Sequence, residues 1–256
     1  MNKISIIIIF FTSIIIFTSQ NEDTENKIEV CQKDINCRLP FCNCENQKVP
    51  INYSGNFSLF KLPQLVVLTI DDDQLDIKSY QIYRKLLSQF KNPNNCSVKA
   101  TFFVSDTNNQ TSFCLIRNLY EKNHEIAVSS LNYTCPNKRC STNKHFQPWD
   151  YQTWTQQIIQ MKMRLVRYAA IPRSHICGFR APILEPAADM HYKIIAANKF
   201  LYDSSLIMNT EQFLWPFTFD YRIFSPIINN GPINNYPGLW ELPIQTYVDL
   251  NTRKFC

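Results

Sequence analysis

Three consecutive aspartates, Asp71, Asp72 and Asp73, follow the apolar run Leu65-Val-Val-Leu-Thr-Ile70. Carboxylates set side by side at a strand end repel one another, and a cation, a proton or an arginine must offset that repulsion. One of them can then ligate a divalent metal while its neighbour stays free as a base. The plainer reading is an acidic helix cap, because a helical stretch begins at Lys78. Later apolar runs also end in polar residues. Ser105 and Asp106 follow one, Ser129 and Ser130 another, Arg180 a third, and Asp203, Ser204 and Ser205 a fourth, while Glu241 lies inside the last. Chemistry in parallel α/β folds collects at the carboxyl ends of strands, so these groups are expected to face one common mouth.

The elements that must position them are legible as an alternation. Strands are expected at 65–70, 98–104, 124–128, 176–179, 199–202 and 239–242, and helices at 78–90, 112–122, 151–168 and 189–198. The clearest helix carries Trp154, Ile158, Met161, Leu165 and Tyr168 at spacings of four and three. The run at 65–70 is continuously apolar, as suits a strand buried on both faces. Strand–helix alternation predicts an α/β fold with a parallel sheet, open or closed into a barrel.

Composition removes several alternatives. Only 4 of the 256 residues are Gly, where about 18 would be usual. Gly55, Gly178, Gly231 and Gly238 lie too far apart to build a phosphate-binding loop. A net charge of +5 without any dense Lys/Arg run gives no support to nucleic-acid binding. The 10 Cys point to an oxidising compartment. Lys3 followed by the uncharged stretch 4–16 has the layout of a secretory signal over residues 1–20, too short for a comfortable membrane span. No later stretch is apolar enough to span a bilayer, so the expectation is a secreted, extracellular chain. Asn52, Asn56, Asn95, Asn109 and Asn132 open Asn-x-Ser/Thr triplets, in keeping with that expectation. Cys31, Cys37, Cys42 and Cys44 have spacings that suit disulfides better than a zinc cluster, with the pairing left open.

Several stretches together resemble the polysaccharide deacetylase (NodB-homology) family. They are Leu68-Thr-Ile-Asp-Asp72, Lys99-Ala-Thr-Phe-Phe-Val104, Asn123-His-Glu-Ile-Ala-Val128, Gly178-Phe-Arg-Ala-Pro182, Phe200-Leu-Tyr-Asp-Ser204 and Leu239-Trp-Glu-Leu-Pro243. The cysteine-rich Arg38-Leu-Pro-Phe-Cys-Asn-Cys44 is similar to the lead-in of animal chitin deacetylases. The resemblance implies a distorted (β/α) barrel over 61–256, preceded by a polar, Cys-rich lead-in at 21–60. It implies a zinc-type divalent metal site that removes N-acetyl groups from chitin or a related N-acetylated polysaccharide. It assigns Asp71 as general base and Asp72 as metal ligand; Pro182 and Trp240 are candidate substrate-binding residues. An indole inside an apolar run is more often a core residue, and for Trp240 both readings stay open. Arg180 either orients Asp71 or neutralises the aspartate cluster.

The chain departs from the family where the metal should bind. The family's His-Ser/Thr-x-x-His motif should start after Val128, but its two histidine positions are Ser129 and Tyr133. The histidines present, His124, His145, His175 and His191, fall elsewhere and read as ordinary surface or packing residues. A carboxylate with a hydroxyl and a phenol makes a poor zinc site. The family's later histidine, which protonates the departing amine, has no counterpart before Cys256. The expectation is therefore an incomplete barrel from a longer product, its catalysis impaired and its polysaccharide groove retained. The alternatives are an active hydrolase of carbon–nitrogen bonds with another ligand set, and a non-functional fragment.

Overall fold

The computed structural model describes residues 30–45, 66–208, 214–223 and 231–245. The expected signal at 1–20, the triplets at Asn52 and Asn56, and Cys256 lie outside the described residues.

Strand and helix alternate from Thr69 to Asp203. The strands are β1 (Thr69–Asp72), β2 (Thr101–Val104), β3 (Glu125–Val128), β4 (Gly178–Phe179) and β5 (Tyr202–Asp203). The helices between them are α1 (Ile77–Gln89), α2 (Phe113–Glu121), α3 (Tyr151–Tyr168) and α4 (Asp189–Ala197). Four short strands follow: β6 (Ile207–Met208), β7 (Phe217–Phe219), β8 (Tyr236–Glu241) and β9 (Ile244–Gln245). The main sheet has the order β1-β2-β3-β4-β5-β8-β7. Its first six strands are mutually parallel, β7 runs antiparallel to β8, and β6 pairs with β9 alone. Parallel neighbours require crossover connections, which α1 to α4 supply. Among the described residues the sheet is not a closed barrel: β1 and β7 are its edges.

The helices cover one face. Trp154, Ile158, Met161 and Leu165 are fully buried, whereas Tyr168, at the last turn of α3, stays largely exposed against Phe113. Asp150 caps α3 by accepting the Thr153 N–H at 2.7 Å. The cap of α1 is Asp76, reciprocally bonded with Ser79, so Asp71, Asp72 and Asp73 are not spent on capping. The 65–70 run does not become a doubly buried strand. β1 starts later than the apolar pattern suggests, and Val66 and Val67 are exposed beside its edge.

Residues 30–45 form a small unit of their own, closed by Cys31–Cys44 and Cys37–Cys42. It docks on β7 through Asn43, whose carbonyl accepts the Thr218 N–H at 2.9 Å and whose Nδ2 donates to the Pro216 carbonyl at 2.7 Å. The antiparallel edge strand is thus shielded by a covalently stapled segment.

Candidate functional site

Strand register sorts the polar residues into two sets. Along a strand successive side chains point to opposite faces, and register partners on neighbouring strands share a face. One row across the sheet is Asp72, Val104, Val128, Phe179, Asp203 and Glu241. Val104, Val128 and Phe179 belong to the core under the helices, so this row faces them. Asp71 and Phe103 are partners in the row before it, as are Gly178 with Tyr202 and Tyr202 with Trp240, and that row faces the other way. The expected common mouth is therefore divided. Asp203 and Glu241 are fully buried behind the sheet, because each is the last residue of its strand and not the first of a loop.

On the open face Arg180 is the organising group. It is buried, and its Nε and Nη2 donate to the Ser204 carbonyl and Oγ, each at 2.9 Å. Nη1 donates to Asp71 Oδ1 at 2.9 Å and to Thr69 Oγ1 at 3.0 Å. The guanidinium also lies over the Phe103 ring, 4.0 Å from its centroid. Asp71 is thereby held in place by a charge-assisted hydrogen bond. Tyr133 lies in the same field. Burial pushes its phenol upward, the Asp71 charge adds to this, and the Ile183 N–H and Arg180 oppose it. The phenol remains a protonated donor beside a carboxylate acceptor. Ile183 has φ +57°, followed by Leu184 at +53°. A β-branched residue in the left-handed region costs about 1–3 kcal/mol.

Gly178 is required by close approach. A Cβ there would come within 2.2 Å of the Tyr202 ring. That ring crosses the glycine so that the Tyr202 hydroxyl can donate to Glu125 Oε1 at 2.9 Å, while Thr101 Oγ1 donates to Oε2 at 2.7 Å. Trp240 is half-buried and Pro182 is buried at the start of the Pro182–Leu184 turn.

Asp72 does not join Asp71. Its Oδ1 accepts the Gln74 N–H at 3.0 Å, and its Oδ2 is buried without a fully formed hydrogen bond. Burial raises its carboxyl above the usual range, against the lowering influence of the nearby Tyr83 hydroxyl on α1. Ser129 Oγ is likewise buried and unpartnered. Asp106 is taken up by an ion pair with Arg164 and by the Thr111 N–H.

Behind the sheet stands a polar cluster centred on Asp203. Its two oxygens accept Ser205 Oγ and N–H, each at 2.9 Å. Ser205 Oγ in turn accepts the Ala181 N–H at 2.8 Å, which ties the cluster to the residue after Arg180. Glu241 Oε1 accepts the Leu206 N–H at 3.1 Å. Burial first, and then the Asp203 charge, push the Glu241 carboxyl well above its ordinary value. His191 sits on the buried face of α4 with Nε2 3.5 Å from Asp203 Oδ1, and its Nδ1 accepts the Ala187 N–H at 3.1 Å. Its helical spacing with Ile194 and Ile195 was the sequence signal for burial, but nothing in that spacing named Asp203 as its neighbour.

No family model matches the chain. Among solved structures it resembles a putative polysaccharide deacetylase from Mycobacterium smegmatis, at 21% identity and TM-score 0.43, over 70% of this chain and 57% of that one. It also resembles a family 4 carbohydrate esterase from Streptomyces lividans, at 16% identity and TM-score 0.41, over 56% and 63% of the two chains. Among curated proteins it is 31% identical to chitin deacetylase 8 of Bombyx mori over 218 residues, 84% of this chain and 54% of that protein. It is 26% identical to chitin deacetylase 1 of the same species, over 86% of this chain and 40% of that protein. These curated chitin deacetylase relatives support a NodB-type polysaccharide deacetylase family for the chain. It spans about half the length of the curated relatives it matches.

The divalent metal implied for a NodB-type deacetylase finds a poor donor set here. The positions that the family motif marks are Asp72, Ser129 and Tyr133, all oxygen donors, two of them neutral. Among the described residues no histidine comes close enough to the aspartates to form a metal-holding group. The one such group, Cys31, Cys37 and Cys42, consists of sulfurs already committed to disulfides. These residues do not fit a catalytic zinc, which takes three protein ligands rich in imidazole.

Proposed function

We propose that this carbohydrate deacetylase-like protein is an extracellular binder of chitin or a related N-acetylated polysaccharide, with impaired deacetylase chemistry. The observation that carries the reading is the pairing of an oxygen-only donor set with an otherwise well-ordered site. Asp71 is fixed by Arg180, and the Tyr133 phenol stays protonated beside it. A carboxylate acceptor next to a phenol donor suits the hydroxyl and acetamido groups of an amino sugar. Neither group lowers the pKa of a water in the way a bound metal does. The Cys31–Cys44, Cys37–Cys42 and Cys135–Cys140 bonds support an oxidising compartment. Among the described residues no helix is long and apolar enough to cross a membrane.

The test uses purified protein, chitin oligomers and zinc. Retention on chitin without acetate release is the expected result. Stoichiometric zinc with acetate release would refute impairment and favour an active hydrolase with another ligand set. Replacing Ser129→His together with Tyr133→His is expected to raise zinc uptake toward one equivalent. Unchanged uptake would show that these positions do not face a common metal site.

A further inference from the structure

Two loops that begin at the site continue into a second concavity. The loop after β3 carries Ser129 to Tyr133 and then runs through Pro136 to Trp149. The loop after β4 carries Arg180 to Ile183 and then runs to Pro186 and Met190. Between them lies a cleft of about 270 Å³ lined by Pro136, Pro148, Trp149, Pro186 and Met190, with Lys138 at its rim.

The cleft is built and held. Cys135–Cys140 closes the first loop on itself. Glu185 Oε2 then accepts Asn137 Nδ2 and Arg139 Nε, each at 2.9 Å, which clamps one loop to the other. The Trp149 N–H donates to the Pro136 carbonyl at 2.9 Å. The Trp149 ring packs edge-to-face on the fully buried Trp154, centroids 4.9 Å apart. A half-buried indole is thus fixed on a core indole, in a lining that combines prolines, Met190 and two alanines with the polar Asn137, Lys138 and Arg139. Such a preformed surface loses little ordering entropy on binding.

We propose that this cleft is a second saccharide subsite, in which Trp149 stacks on a pyranose ring of an amino-sugar polymer whose adjoining unit lies at Asp71 and Tyr133. The inference rests on the reading of the protein as a polysaccharide binder and adds the place and direction of the chain. Continuity favours this occupant: Pro136 lies three residues beyond Tyr133 and Pro186 three beyond Ile183, a reach of at most about 11 Å. Charge does not oppose it: Glu185 offsets Arg139, and exposed Lys138 is the one other charged group of the lining. The apolar C–H face of a pyranose matches an indole face flanked by prolines, while its hydroxyls stay in water.

The experiment is a calorimetric titration of the full chain with the tetramer of N-acetylglucosamine, comparing wild type, Trp149→Ala and Trp149→Phe. Melting curves check that each variant folds. Trp149→Ala is expected to weaken binding about tenfold, the loss of one aromatic anchor, and Trp149→Phe to stay within about threefold of wild type. Met190→Arg, at an exposed position on the cleft wall, should block the cleft independently. It decides the matter if Trp149→Ala fails to fold. Wild-type affinity in the alanine variant, or in Met190→Arg where the alanine variant does not fold, overturns the subsite and leaves the polysaccharide reading intact. No binding by wild type overturns that reading and the subsite with it. A concentration-dependent dimer abolished by Trp149→Ala would assign the cleft to a second copy and overturn the subsite.

Discussion

Replacing Glu241→Gln should make this protein more stable at neutral and alkaline pH. Glu241 is fully buried, its register partner is Asp203, its field is shared by Tyr192 and Arg180, and His191 lies on the far side of Asp203's carboxylate at 3.5 Å. Burial and the Asp203 charge hold its carboxyl well above the ordinary value, so the folded chain keeps a proton that the unfolded chain releases above about pH 4.3. Above that point the native state binds the extra proton, and raising the pH therefore lowers stability. One proton amounts to about 1.4 kcal/mol per pH unit, from the unfolded pKa up to the folded one. Glutamine keeps an acceptor for the Leu206 N–H and a donor toward Asp203, but it does not titrate. The stability difference between variant and wild type should rise with pH from pH 5 upward, by at most about 1.4 kcal/mol per unit, until the folded carboxyl ionises. Comparing the two proteins cancels contributions from other groups, among them Asp72, raised by burial, and His124, lowered by burial. Urea denaturation at pH 5, 6 and 7 measures it. Parallel pH profiles for the two proteins would refute the assignment of the proton to Glu241.

Other outcomes follow from the same geometry. Gly178→Ala should cost about 2–3 kcal/mol, because the new Cβ falls 2.2 Å from the Tyr202 ring and must break its bond to Glu125; an unchanged melting temperature would count against this. Arg180→Ala should cost about 3–5 kcal/mol, since it removes a buried cation with four hydrogen bonds. Chemical denaturation tests it, and a loss under 1 kcal/mol would show that Arg180 is dispensable.

The sequence pattern anticipated the strand–helix order and the partnership of Asp71 with Arg180, the latter through family resemblance. It misplaced several strand boundaries by a few residues, and at two strands those residues mattered. With the first strand expected at 65–70, Asp71 and Asp72 read as loop neighbours at one mouth. With β1 at Thr69–Asp72, they lie inside the strand and face opposite sides. The same shift, from 199–202 to Tyr202–Asp203, turns Asp203 from a mouth residue into the centre of a buried cluster. The Trp149 cleft left no local signal, because its walls come from segments about 50 residues apart.

The sequence by itself determined which chemical groups stand at the family's metal positions: Ser129 and Tyr133 are oxygen donors whatever the fold does. It also determined the cysteines that staple residues 30–45, and the helical stripe of Trp154, Ile158, Met161 and Leu165. Only the tertiary structure decided which carboxylates are paired, which are buried and which lie on the open face of the sheet. The physical reason is the two-residue period of a β-strand. A slip of one residue in register moves a side chain to the other face of the sheet, and register is set by hydrogen bonds to strands distant in sequence.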